Sequence, residues 1–286
     1  MQQSFAPGKI ILSGEYAVVF GHAGIAVPSH IGIHASFEPD STKKHAIIAW
    51  KDAPSLWQEY AEHILIEYER VTDQLFGGTL KIETELPLGR GMGSSTALII
   101  AIGRALLGTG ADRTVIETIE DHFAPHNSGI DFEVIWQNKP LLFRTGETSI
   151  ACPIDTSFMS QSVLIDTGSP NEPTAELVAD VQQRSKELQE PLNCIATCTE
   201  RLLKGEDIRT VMPDHNKAQV VVGVVPKAVQ GLITTIEQSG GCAKVIGAGS
   251  KTGGGGMVLA VHKNPESIHK IASSFGFSCI MNNLNS

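Results

Sequence analysis

Polar and apolar positions alternate through Leu80-Lys81-Ile82-Glu83-Thr84-Glu85-Leu86, the period of a half-buried strand. That strand runs into PLGRGMGSSTA, residues 87–97, and then into LIIAIGRALL, which is apolar on nearly every face. Ala97, Ala101 and Ala105 recur at helical spacing there, so the pattern predicts a buried helix with Ser94 and Ser95 at its N-cap and first turn. Upstream, Lys9-Ile10-Ile11-Leu12 and Tyr16-Ala17-Val18-Val19-Phe20 read as strand segments on either side of a Ser13-Gly14-Glu15 turn. Residues 31–50 read as strands around Pro39-Asp40-Ser41, and 56–76 as a helix stopped by Gly77-Gly78.

An acid-rich helix is predicted over 112–122, followed by a turn over 124–131 and an apolar, strand-like run through Trp136 to Phe143. A strand at 162–168 precedes helices at 174–189, 191–204, 206–222 and 227–239. Strands at 243–246 and 257–261 flank GAGSKTGGGG, residues 247–256. Asn264, Pro265 and Gly276 frame a last helix before a strand over 277–281. This order predicts an α+β protein with an antiparallel C-terminal lobe, divided at about residue 160 into 1–160 and 161–286.

Composition narrows the function. With 42% apolar and 19% charged residues the chain can bury a large core. A formal net charge of -9 disfavours nucleic acid and anionic membranes as partners. An anionic ligand would then be held by helix ends, individual lysines or a metal. No secretory signal and no membrane-length apolar run is evident, so a cytoplasmic location is expected. The five cysteines are scattered, without zinc-ligand spacing, and read as reduced thiols.

Gly89, Gly91 and Gly93 alternate, so the backbone can take positive φ and approach a ligand without Cβ atoms in the way. A helix opening from such a loop aims N–H groups and its positive end at the occupant, which suits a polyphosphate; a structural turn is the alternative. The loop lacks the lysine of a Walker A motif and the spacing of the dinucleotide fingerprint. Lys9 and Glu15 border buried runs, which snorkelling or an ion pair would also explain. Asp131 follows a Ser-Gly turn, where an aspartate commonly serves as a cap. Arg90 sits in the cradle as a candidate for a phosphate or carboxylate contact, a solvated loop arginine being the other reading.

Taken in order, APGKIILSGEYAVV, PLGRGMGSSTA, SGID and AKVIGAGSKTGGGG resemble the motifs of the GHMP kinases, and among them the mevalonate kinase branch. The resemblance implies an N-terminal lobe like a small-subunit ribosomal protein domain and a ferredoxin-like C-terminal lobe. It implies ATP and Mg²⁺ as cofactors and a small-molecule acceptor, mevalonate. ATP would contact Pro87, Gly89, Arg90, Gly91, Met92, Gly93, Ser94, Ser95 and Thr96. Ser95 and Glu120 would ligate the metal, a choice that periodicity cannot make over Glu117 or Asp121. Asp131 would be the base or orienting group, with Lys9 holding the acceptor hydroxyl. Glu15, Tyr16, Thr174 and Gly249 would complete the substrate site, and the loop 247–256 would support the phosphate loop. A homodimer is compatible with the resemblance. The chain departs from the pattern in four places: Tyr16 replaces the usual histidine, as in phosphomevalonate kinases, Asn127 replaces a proline, Phe132 replaces an asparagine, and Ser250-Lys251-Thr252 looks inserted.

Overall fold

The computed structural model describes residues 1–125 and 128–281, so His126 and Asn127 of the expected turn lie outside the described residues. The elements run β1 (Gln2–Ser13), β2 (Gly24–Pro39), β3 (Ala46–Ala49), α1 (Ser55–Thr72), β4 (Gly78–Thr84), α2 (Ser94–Leu107), α3 (Arg113–Phe123), α4 (Ile130–Gln137), β5 (Leu141–Phe143) and β6 (Ile150–Ala151). Then come β7 (Ser162–Asp166), α5 (Thr174–Gln183), α6 (Gln189–Leu203), α7 (Ile208–Val222), α8 (Lys227–Gln238), β8 (Cys242–Val245), β9 (Met257–Val261), α9 (Pro265–Ser274) and β10 (Ser278–Met281).

The chain forms two interleaved compact units. The first comprises residues 1–8, 31–88 and 93–138; the second comprises 9–30, 89–92 and 139–286. Residue 160 therefore falls inside the second unit, because the ends of β1 and β2 and the glycine segment 89–92 make their contacts with the C-terminal part of the chain.

In the first unit β4 pairs antiparallel with β2, Ile33 opposite Thr84, and parallel with β3, Ala46 opposite Gly78. The buried helix α2 is covered by α1, α3 and α4. Tyr68 of α1 is fully buried and donates its hydroxyl to the Ile99 carbonyl, 2.9 Å away. A Cβ at Gly103 would lie 2.1 Å from that hydroxyl oxygen, which explains a glycine inside a helix where it costs propensity.

The second unit contains a four-stranded antiparallel sheet in the order β10-β7-β9-β8. One core of this unit joins β7, β8 and β9 to α8 and α9 through Val163, Val229, Leu232, Val245 and Ile268. Another gathers Tyr16 and Ala17 with Leu177 of α5, Ile195 of α6 and Val222 of α7. Asn264 caps α9 by accepting from the Glu266 amide, with Pro265 at the start, as the sequence predicts.

Two segments differ from expectation. Ile130–Gln137 is a helix rather than a strand-like run, capped by Gly129 at φ 81° and burying Ile130 and Val134 one turn apart. Ala17–Phe20 is a 3₁₀ turn rather than a strand, entered through Tyr16 at φ 64° and left through Gly21 at φ 83°.

Candidate active site

The first unit holds the opening of α2 and the two carboxylates near it. The N-cap of α2 is Gly93 in the left-handed region, φ 72°, so Ser94 and Ser95 both belong to the first turn and no side chain caps the helix. Thr96 donates its hydroxyl to Oε1 of Glu120 on α3, at 2.7 Å. Glu120 is buried, and its Oε2 has no hydrogen-bond partner among the described residues. Burial, helped by the charges of Asp131 and Asp121, pushes this carboxyl up to about 7 against the Thr96 hydrogen bond.

Asp131 lies in the first turn of α4, where a helix N-terminus favours negative charge. Helices α3 and α4 are fastened by Arg113, whose guanidinium bonds Glu133 and lies over the Phe132 ring at 5.4 Å. Phe132 also stacks on Trp136, with ring centroids 5.8 Å apart. The residue that departs from the family pattern thus braces the short helix that carries Asp131.

Glu120 and the Ser95 hydroxyl are hard oxygen donors, and a buried carboxyl oxygen without a partner is the kind of atom that a divalent cation satisfies. No cluster of three or more His, Cys, Asp or Glu suited to a metal occurs among the described residues. A cation here would take the rest of its shell from phosphate oxygens and water, which is how Mg²⁺ is commonly bound.

Lys9 and the glycine segment 89–92 belong to the second unit. The Lys9 amide donates to the Met92 carbonyl at 2.9 Å, which ties β1 to the glycine segment 89–92. Two glycines of the third motif meet that segment: a Cβ on Gly247 would lie 2.8 Å from the Gly91 oxygen, and one on Gly256 2.8 Å from the Arg90 oxygen. The loop 247–256 thus packs against the backbone of Arg90 and Gly91. At Gly249 a Cβ would fall 2.1 Å from the Val224 oxygen, so close packing on the chain before α8 requires glycine there.

Several expected ligand contacts are engaged within the protein itself. Arg90 pairs with Asp166, Nε to Oδ1 2.9 Å, and with Ser169. Tyr16 is buried in the core with its hydroxyl donated to the Ala248 carbonyl, and burial together with the charge of Glu15 pushes its phenol well above the ordinary value. Thr174 is exposed at the start of α5.

Glu15 is also buried, bonded to the Lys244 ammonium, with His215 Nε2 3.0 Å from its other oxygen. Burial alone would raise the Glu15 carboxyl; Lys244 and His215 outweigh it and bring it down to about 2. Burial, followed by the charge of Lys244, holds the His215 imidazole below its ordinary value. Lys244 completes its coordination on the Ile11 carbonyl at 3.1 Å. His215 lies in none of the motifs, and Lys244 lies in the third without a role assigned to it there. The available signal was a lysine in the middle of Ala243-Lys244-Val245-Ile246, a strand too apolar to leave it a solvated face.

Comparisons with known proteins bear on the fold and the class of protein. Residues 56–131 match the GHMP kinases N terminal domain. A mevalonate kinase of Archaeoglobus fulgidus is 26% identical over 274 residues, covering 90% of this chain and 91% of its own. The solved mevalonate kinase of Methanococcus jannaschii superposes with a TM-score of 0.80 at 17% identity, over 97% of this chain and 96% of its own. The L. major mevalonate kinase in complex with R-mevalonate gives 0.71 at 20% identity, over 96% and 91%. The chain resembles the GHMP kinases over nearly its whole length, has their α+β fold and is a kinase, a class that uses ATP on a small-molecule acceptor. Within that class it resembles the mevalonate kinases. No helix among the described residues is long and apolar enough to cross a membrane.

Proposed function

We propose that the protein transfers the γ-phosphoryl group of ATP to the terminal hydroxyl of mevalonate, forming 5-phosphomevalonate for isoprenoid precursor synthesis. The observation that carries this reading is the pairing at the opening of α2. A buried carboxylate, Glu120, with one oxygen left without a partner among the described residues, shares the start of that helix with Thr96 and adds its charge to that of Asp131.

Phosphoryl transfer asks a protein for alignment and charge neutralisation more than for covalent chemistry. The backbone of residues 89–95 cradles the phosphates, and the start of α2 adds its dipole. Ser95 and Glu120 would hold Mg²⁺, which when bound would supply charge neutralisation to the phosphates. Asp131 orients the acceptor hydroxyl and receives its proton, and Lys9 supplies the positive charge that holds that hydroxyl.

Arg90, Glu15 and Tyr16 act on this chemistry by fixing the backbone, since Asp166, Lys244 and Ala248 occupy their polar groups. With Tyr16 so engaged, the tyrosine in place of the family's histidine does not by itself redirect the acceptor. Coupled measurement of ADP release with Mg-ATP and a panel of acceptors tests the proposal. Turnover is expected with mevalonate; release with phosphomevalonate alone would replace it by the neighbouring step.

A further inference from the structure

The residues Ser250-Lys251-Thr252 interrupt the third glycine-rich stretch and take no part in the chemistry above. They surround one carboxylate. Glu172 Oε1 accepts from the Thr252 hydroxyl at 2.7 Å, while Oε2 accepts from the Lys251 amide at 3.0 Å, from the Ser250 hydroxyl and, more weakly, from the Thr252 amide at 3.4 Å. Successive backbone N–H groups converging on one anion form a nest, and here the anion belongs to the chain itself. Ser250 is fully buried. Asn171 adds two further bonds, its amide to the Ser250 hydroxyl and its side chain to the Thr252 hydroxyl. The Lys251 ammonium turns elsewhere, to Asp180 on α5 at 2.8 Å.

From this clasp a continuous ladder runs along the two segments. Pro170 bridges Gly253, the Gly254 amide donates to Ser169 at 2.9 Å, and the Gly256 amide donates to Gly168 at 3.1 Å. Thr167 closes on the Gly256 carbonyl through both its amide, 3.0 Å, and its hydroxyl, 2.7 Å. The approach leaves no room for side chains, since a Cβ on Gly254 would sit 2.3 Å from the Gly168 carbonyl carbon. At its far end the ladder reaches the phosphate loop twice, through the Met257 amide on the Arg90 carbonyl at 3.0 Å and through Asp166 on the Arg90 side chain.

We propose that Glu172 is a positioning residue: seated in the Ser250-Lys251-Thr252 nest, it locks the glycine-rich loop along residues 166–172 and thereby holds the phosphate loop at Arg90. Its consequence for ATP rests on the kinase reading above; the mechanical claim does not. The carboxylate supplies charge-assisted hydrogen bonds at the open end of the ladder, where fraying would otherwise begin.

Hydrogen exchange on the nucleotide-free protein tests the lock directly. Glu172→Ala should speed exchange at the amides of 251–256 at least tenfold and at 89–92 measurably, with the amides of α8 unchanged. In steady-state kinetics the same variant should raise KM for ATP threefold or more with kcat within twofold. Lys251→Ala, which keeps the backbone nest, should leave both readouts within twofold of wild type. Unchanged exchange at 251–256 and 89–92 would overturn the lock; faster exchange with an unaltered KM would uphold the lock and overturn its consequence for ATP. A wild type that phosphorylates no acceptor would sink the kinase reading instead, and the exchange result would still decide the lock.

Discussion

Replacing Lys244 by Met tests the buried charge cluster beside the Gly14-Glu15-Tyr16 turn. The Glu15 and Lys244 side chains are 2% and 0% exposed, so the substitution strands an ionised carboxylate away from water, with a largely neutral imidazole as its remaining partner. Breaking such a pair from one side costs about 3–5 kcal/mol. For a chain of this size that is a fall in Tm of roughly 6–20 °C, at about 2–4 °C per kcal/mol.

The pH dependence gives a second figure for the same quantity. The Glu15 carboxyl stands at about 2 in the folded protein against an ordinary value of 4.5. A depressed acid contributes stability that is complete above the unfolded value and is lost as pH falls from there toward the folded one. The difference corresponds to about 3 kcal/mol, lost between about pH 4.5 and 2. Thermal unfolding followed by circular dichroism at pH 7.5 should show the large loss in Lys244→Met. Much of it should return in Glu15→Gln/Lys244→Met, where no uncompensated charge remains. A loss below about 1 kcal/mol, or a double variant worse than both singles, would refute the reasoning.

Asp131→Ala should lower kcat by several orders of magnitude with ATP affinity little changed, because the cradle remains while proton acceptance is gone; comparable turnover would remove Asp131 from the mechanism. Glu120 carries the opposite pH signature to Glu15, since its carboxyl is raised from 4.5 to about 7. A raised acid costs stability once ionised, so metal-free wild type should lose about 3 kcal/mol relative to Glu120→Gln as pH rises from about 4.5 through 7. Mg²⁺ should raise the Tm of wild type and not of the variant, and a gap that does not vary with pH would contradict the assignment. Gly103→Ala drives a methyl into the Tyr68 hydroxyl and should cost about 1–3 kcal/mol in urea unfolding, less on a Tyr68→Phe background; additive losses would show that the two do not meet.

Much of the fold is legible in local pattern. The helix α2 announces itself by its all-round apolar character, α9 by its cap and proline, and the antiparallel sheet by the order of strand and helix periods. The helix of Asp131 is not, because Ile130-Asp131-Phe132-Glu133-Val134 alternates as a strand would over so short a window. What decides for helix there is a left-handed glycine and the burial of Ile130 beneath Val134, neither of which alternation reveals. Tyr16 misleads for a related reason: an apolar run predicts burial correctly, but its positive φ turns the chain into a 3₁₀ segment. The proposed roles of residues 89–95, Glu120 and Asp131 come from motif order, whereas Lys244, His215 and Glu172 act through contacts across 229, 200 and about 79 positions in sequence. No local pattern carries such pairs; only a lysine inside a buried strand hints that an acid must come to meet it.

Following ADP release and the phosphorylated product with Mg-ATP and R-mevalonate tests acceptor and mechanism together. Wild type should turn over and yield 5-phosphomevalonate, with Asp131→Ala silent under the same conditions. Absence of turnover on mevalonate beside clear turnover on phosphomevalonate, or equal turnover in both proteins, would contradict the account.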